Sequence, residues 1–187
     1  SAFTYQWTHA FIDFRIIRDK LGRDWFLNSR HAALAARQYA IDNAERIKGL
    51  GPDSWGMSAC ISPSTGYSGH YGSLPIGAGY NLLEDGTVAT YGALSFLPFT
   101  PQASISALKH MYGIPGLVGK YGLYDAYSYA TKANGNNPWI AKSYLGIDKG
   151  LVLLMFENYS TQLIWKLLHQ NQYIRKGLRR IEFSKSS

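Results

Sequence analysis

Cysteine is nearly absent: Cys60 stands alone in 187 residues, so neither an internal disulfide nor a multi-cysteine metal site is available. Charge is also scarce, at 17% of residues, and no run of eighteen or more apolar residues occurs. A membrane-spanning helix is therefore not expected. No glycine-rich phosphate loop, Gly-x-Ser-x-Gly elbow or His-Glu-x-x-His pair is present. The five histidines (His9, His31, His70, His110 and His169) are scattered without a ligand spacing. Neither a metal nor a cofactor is expected.

What is plentiful is apolar and aromatic surface. Hydrophobic residues make up 46% of the chain, which contains 14 Tyr, 8 Phe and 5 Trp. That composition describes a folded globular chain, read here as one domain over 1–187. Tyr and Trp combine an apolar face with a polar handle, which suits cores and sugar-stacking clefts alike. The net charge of +7 is unevenly placed, with Arg175, Lys176, Arg179, Arg180 and Lys185 all near the end. Basic residues at a helix C-terminus complement its dipole. Zinc-finger and helix-turn-helix spacings are missing, as is aromatic–basic interleaving, so no nucleic-acid partner is expected.

Periodicity predicts a helix over Thr8–Leu21, where Phe11, Phe14, Ile17 and Leu21 recur at three- and four-residue spacing before Gly22. A second runs from Asp24 or Asn28 to Arg46, with an Ala-rich middle that lets neighbours approach closely. Between Gly49 and Gly92 lie ten glycines and no helical period; a loop of that length in a compact domain is functional more often than not. A short strand is expected at Thr87–Tyr91. Thr100-Pro101 opens a helix that stops at Gly113. A loop from Gly116 to Pro138 precedes a long helix, apolar nearly all round from Gly150 to Leu168, which predicts burial on several sides. Asn171 caps a last amphipathic helix, Tyr173–Ile181. The pattern is an all-α body of helix pairs, with one face built from loops.

Carboxylates and aromatics carry what chemistry the chain offers. Asp125, among Tyr121, Tyr124 and Tyr127, reads either as an acid with a perturbed pKa that hydrogen-bonds sugar hydroxyls or as a cap. Asp148 opens the long helix, where capping is the stronger reading. Glu157 and Asn158 fall inside that apolar run; for Glu157 a buried ion pair or a hydrogen bond to loop backbone is favoured. Asp13, near Arg15 and Arg18, reads as structural. Trp7 and His9 precede the first helix, where side chains point either into a cleft or into a core. Trp55 opens the glycine-rich stretch and is a candidate stacking platform for a sugar ring. Cys60 reads as a small buried hydrophobe rather than a nucleophile.

Taken in order, YQWTHAFIDFR, NSRHAALAARQYAID, WGMSAC, LSFLPFTPQASISALKHMY, GKYGLYDAY, YLGIDKGLVLLMFENY, LIWKLL and IRKGLRRIEF resemble the C-terminal half of the glucoamylase-like family, which includes bacterial β-1,2-glucanases. The resemblance spans Phe3 to Phe183. It implies part of an (α/α) toroid, with helix pairs and long loops forming a glycan cleft on one face, and a periplasmic or secreted bacterial protein. It also implies an inverting glycoside hydrolase acting on a β-glucan, with β-1,2-glucan favoured. Asp125 matches a cleft acid of the family's Tyr-Asp-Ala-Phe block, while Trp55, Tyr124 and Asp148 fall in blocks facing sugar. His9 and Arg15 match a His-Ala-x-x-Asp-Phe-Arg block that also holds Trp7 just upstream. The family's general acid lies upstream of the block at Phe3, so the missing N-terminal half, or another chain, is the implied protein partner and a glucan the implied ligand. Two positions depart from the pattern: Ile61 stands where an Asp is usual, and Lys149 where a Gln is usual. A non-catalytic sugar-binding module, or a transglycosylating relative acting on cyclic glucans, remains the alternative.

Overall fold

The computed structural model describes residues 1–77 and 82–185. A 3-10 turn at Ala2–Tyr5 leads into α1 (Trp7–Phe11), β1 (Ile17–Arg18) and α2 (Trp25–Asp42). The glycine-rich stretch holds β2 (Cys60–Ser62), β3 (Gly66–Ser68), β4 (Val88–Ala89) and α3 (Thr90–Leu94). There follow α4 (Pro101–Tyr112), β5 (Val118–Gly119), β6 (Gly122–Leu123), β7 (Ala126–Ser128) and β8 (Trp139–Ile140). The chain then runs through α5 (Gly146–Ser160), α6 (Leu163–Gln170), α7 (Gln172–Arg180) and β9 (Ser184–Lys185).

Helices dominate, but the all-α expectation is corrected by small antiparallel ladders. The largest has three strands in the order β4-β7-β8, with Ala89 opposite Ala126 and Tyr127 opposite Ile140. Two hairpins, β2–β3 and β5–β6, turn within the glycine-rich loops, where Gly66 and Gly122 adopt the positive φ that a tight turn demands. These ladders pair the loop backbone that a purely helical body would leave unsatisfied.

Two predicted helices break. The first ends at Phe11, because Ile12 is extended and Asp13 captures the chain instead. The Asp13 Oδ1 accepts the Arg15 backbone N–H at 3.1 Å and its Nε at 2.8 Å, while Arg15 Nη2 meets Oδ2 at 2.8 Å. A side chain that offers the backbone this alternative competes with helix. The long C-terminal helix is also two, α5 and α6, separated at Gln162, whose φ of 63° is left-handed. Asn158 organises that break: its Oδ1 accepts the Trp165 N–H at 3.2 Å and its Nδ2 donates to the Ala10 carbonyl at 2.8 Å. Trp165 Nε1 donates to the His9 carbonyl at 2.6 Å. The buried amide thus ties α1, α5 and α6 together.

The same helices bury one side within this chain and leave apolar residues open on the other. Leu151, Met155 and Asn158 of α5 are buried, yet Leu153 is 70% exposed and Leu167 of α6 is 55% exposed. The core lies on the other side, where buried Trp55, Tyr91, Phe96, Met111, Tyr127 and the alanine stripe Ala33, Ala36 and Ala40 of α2 meet. Close approach is built in: a Cβ on Gly92 would stand 2.0 Å from the Gly56 carbonyl oxygen. Such a gap admits only glycine. This contact fixes the loop after Trp55 against α3, beneath the hairpin that carries Cys60 and Ile61.

Candidate active site

The hairpin β2–β3, the β6–β7 junction and the first turn of α5 converge on two carboxyl groups. Asp125 is 1% exposed and Asp148 2%. Backbone pairing fixes Asp125 from both sides: its N–H donates to the Ser143 carbonyl at 3.0 Å, and its own carbonyl accepts from Thr90 N–H at 2.9 Å. Its side-chain Oδ2 accepts the Ile61 N–H at 2.8 Å, so the hairpin sits directly on the carboxyl. Asp148 is not the expected cap. Leu145 occupies the N-cap of α5, and both Asp148 oxygens lack an N–H or O–H donor, as does Asp125 Oδ1. The two carboxyls lie near enough for each to shift the other's titration.

Two buried acids that repel each other do not both ionise readily. Burial, followed by the charge of Asp125, pushes the Asp148 pKa up to about 8. Burial also raises that of Asp125, against the pull of the Ile61 N–H. The pair therefore retains a proton at pH 7. Lys149 tempers both shifts. Its Nζ donates to the Leu123 carbonyl and lies 5.8 Å from the Tyr144 ring centroid, and burial lowers its own pKa. Cys60, buried beside the pair, has its thiol pushed up by burial and by the nearby carboxylates, which leaves it the inert hydrophobe expected.

Aromatic rings border the pair. The Tyr124 and Tyr144 centroids are 5.0 Å apart, and those of Tyr121 and Tyr144 5.4 Å, while Tyr67 stands exposed on β3. Lys149 and Tyr144 also line a cavity of about 580 Å³ whose walls include Tyr112, Tyr121, Leu153 and Phe156. Neither carboxyl lines this cavity, whose rings and lysine make a surface suited to polyhydroxylated ligands. Among the described residues no cluster of metal-ligating side chains occurs, and no helix is long and apolar enough to cross a membrane.

The other sequence candidates lie elsewhere. Trp55 is fully buried with its ring stacked 6.1 Å from Phe96, so it has no face open to a sugar; the platform expectation gives way to a core role. His9 is a core histidine: Ser29 Oγ lies 2.9 Å from its Nε2, Phe14 and Phe99 pack on its ring, and burial lowers its pKa to about 4. Arg15 pairs with Asp13 and lays its guanidinium 4.3 Å over Trp165. Trp7 stacks between Phe3 and Phe11. Only Asp125, Tyr124 and Asp148 of the candidates gather in one place. Tyr67 and Tyr144 escaped notice; the signal for Tyr144 was its position directly before the Asp148 turn. Glu157 accepts a hydrogen bond from Thr161 Oγ1, a local structural role.

Residues 1–172 match the family described as "Putative glucoamylase". The chain is 30% identical over 164 residues to the exo-β-1,2-glucooligosaccharide sophorohydrolase (non-reducing end) of Parabacteroides distasonis, covering 85% of this chain and 20% of that protein. The endo-β-1,2-glucanase of Chitinophaga pinensis, solved with sophorotriose and glucose, superposes with a TM-score of 0.83 at 33% identity, over 98% of this chain and 41% of that one. A β-1,2-glucanase structure from Parabacteroides distasonis gives a TM-score of 0.81 at 30% identity, over 97% and 24% respectively. The chain therefore spans between a fifth and two fifths of these relatives.

Proposed function

Because the chain belongs to the glucoamylase family, we propose that it is the C-terminal part of a bacterial glycoside hydrolase acting on β-1,2-glucan. The observation that carries this reading is the buried Asp125–Asp148 pair, bordered by Tyr124 and Tyr144, in a chain whose relatives are named for β-1,2-glucan hydrolysis. The helix pairs form part of an (α/α) toroid, and the loops that hold the pair face the glycan.

Inverting hydrolysis needs an acid and a base roughly 6.5–9.5 Å apart, with water between the base and the sugar. Asp125 and Asp148 are both buried, so neither presents an oxygen to a water beside a sugar. The pair therefore binds and orients rather than cleaves, and the general acid comes from family sequence outside this chain. Asp125 Oδ1 is the free acceptor for a sugar hydroxyl once the β2–β3 hairpin shifts, and the Tyr124–Tyr144 rings take an apolar sugar face. A periplasmic or secreted location follows from the same reading, since the substrate is a glucan.

The test is Asp125→Asn in the full-length protein. The Asn Oδ1 still accepts the Ile61 N–H, so the fold is kept, with a melting temperature near that of the parent. Release of sophoro-oligosaccharides from β-1,2-glucan should fall at least about tenfold, roughly 1.4 kcal/mol in the barrier. Intact specific activity with a lowered melting temperature would make Asp125 a purely structural anchor. Anomeric analysis of the first product separates inversion from transglycosylation, and binding without turnover would favour a sugar-binding module.

A further inference from the structure

Far along the chain from the carboxyl pair, α7 has a feature that glucan hydrolysis does not use. Its sequence, QYIRKGLRR, places Ile174 and Leu178 on one side, half-buried against the body. Arg175, Lys176, Arg179 and Arg180 cover the opposite side and are all exposed. Helical spacing gathers these four cations into one arc. Lys185 of β9 adds a fifth, and among the described residues none of the five forms an ion pair. The nearby Glu182 is already engaged by Lys20 at 3.1 Å. Helix-dipole complementarity explains cations in the last turn only, and Arg175 and Lys176 lie before it.

Beneath the helix lies a cavity of about 550 Å³ with a divided lining. Ile16, Ile17, Leu178 and Phe183 line it together with His169 and the exposed cations Arg175, Arg179 and Lys185. Apolar groups also flank the cationic arc on the outside: Tyr173 is 75% exposed and Ile181 is exposed as well. Exposed cations at an apolar pocket match an anionic head with a hydrocarbon tail. A hydrophilic polyanion would use the cations and leave the apolar lining unfilled. Helices with a cationic face, low overall hydrophobicity and flanking aromatic and aliphatic residues lie at lipid interfaces.

We infer that α7 and β9 form a docking surface for an anionic phospholipid bilayer, with phosphate headgroups on Arg175, Arg179 and Lys185 and the upper part of one acyl chain in the cavity between α7 and β1. Lys176 and Arg180 add attraction without entering the cavity. The inference is independent of the glucan reading, since it uses none of the residues around Asp125.

Vesicle co-sedimentation of the full-length protein tests it. Vesicles of phosphatidylcholine with about one quarter phosphatidylglycerol should bind on the order of tenfold more tightly than phosphatidylcholine alone, and raising salt from about 0.05 to about 0.3 M should remove most of that gain. The double variant Lys176→Glu/Arg180→Glu should lose the preference, with an unchanged circular dichroism spectrum. Lys109→Glu/Lys142→Glu, with the same change in net charge at exposed positions on α4 and in the β8–α5 connection, should keep it. Dodecyl phosphate should displace vesicles at concentrations where inorganic phosphate does not. Equal binding to both vesicle types, or equal loss in both double variants, overturns the docking surface. Polyglutamate competing as well as vesicles at matched charge makes the face a general polyanion site and also overturns it. Dodecyl phosphate no better than inorganic phosphate overturns the acyl seat.

Discussion

Asp148 lies in the first turn of α5, where the helix N-terminus ordinarily favours a negative charge by about 0.3–1 kcal/mol. Its pKa nevertheless moves up, from 3.8 to about 8, because burial and the facing Asp125 outweigh the dipole. The sign of the resulting pH dependence follows. Between those two values the native state holds a proton that the unfolded state has released, so stability falls as pH rises from about 4 towards 8. Asp148→Asn removes the titration. Relative to the parent, the variant should gain on the order of 1 kcal/mol between pH 5 and 8, a figure kept small because Lys149 favours the charged forms. Thermal melts at pH 5, 6.5 and 8 would show this as a narrowing or crossing gap; parallel curves would mean that no proton is retained.

At the scale of elements, the turn at Thr161–Gln162 is a strained joint between α5 and α6. Gln162 takes a left-handed φ of 63° with no side-chain hydrogen bond, a conformation that costs a non-glycine residue roughly 1 kcal/mol. Gln162→Gly should therefore raise the melting temperature by a few degrees, on the order of 0.5–1 kcal/mol after the entropy glycine adds to the unfolded chain. A lower melting temperature would show that the glutamine contributes more than its backbone strain. This joint also shows what was legible in the sequence. α4 was readable end to end, from Thr100-Pro101 to Gly113, and so was the Asn171 cap of α7, because their signals are local. The breaks after Phe11 and Ser160 were not, because they depend on Asp13 capturing Arg15 and on Asn158 reaching Ala10 and Trp165. Elimination among the acidic residues leaves Asp125 and Asp148 as the one possible pair, but their proximity is made only by the fold. Trp55 was misread because a tryptophan at a loop start looks the same in sequence whether it faces solvent or Phe96.

For the whole molecule, the exposed leucines of α5 and α6 and the partial coverage of its relatives point the same way. An apolar face of this kind commonly marks a surface made for a partner. The 187 residues alone should release no reducing sugar from β-1,2-glucan, laminarin or starch above background. Turnover that vanishes in Asp125→Asn would instead place a catalytic acid within this chain.

A different consequence attaches to the pairing of β1 with β9, where Ile17 faces Lys185 and Arg18 faces Ser184. Two residues near one end of the chain meet two near the other, so closing that ladder encloses almost the whole sequence in a single loop. Contacts of such long sequence separation carry the largest loop-closure entropy and tend to form after the local hairpins. The ladder is also only two residues long, with both β9 residues exposed. In native-state hydrogen exchange the amides of Ile17, Arg18, Ser184 and Lys185 should therefore lose deuterium protection early and together, while Tyr127 and Met155 in the core hold theirs until global unfolding. The clasp would then open and close as a separate unit on an otherwise intact body.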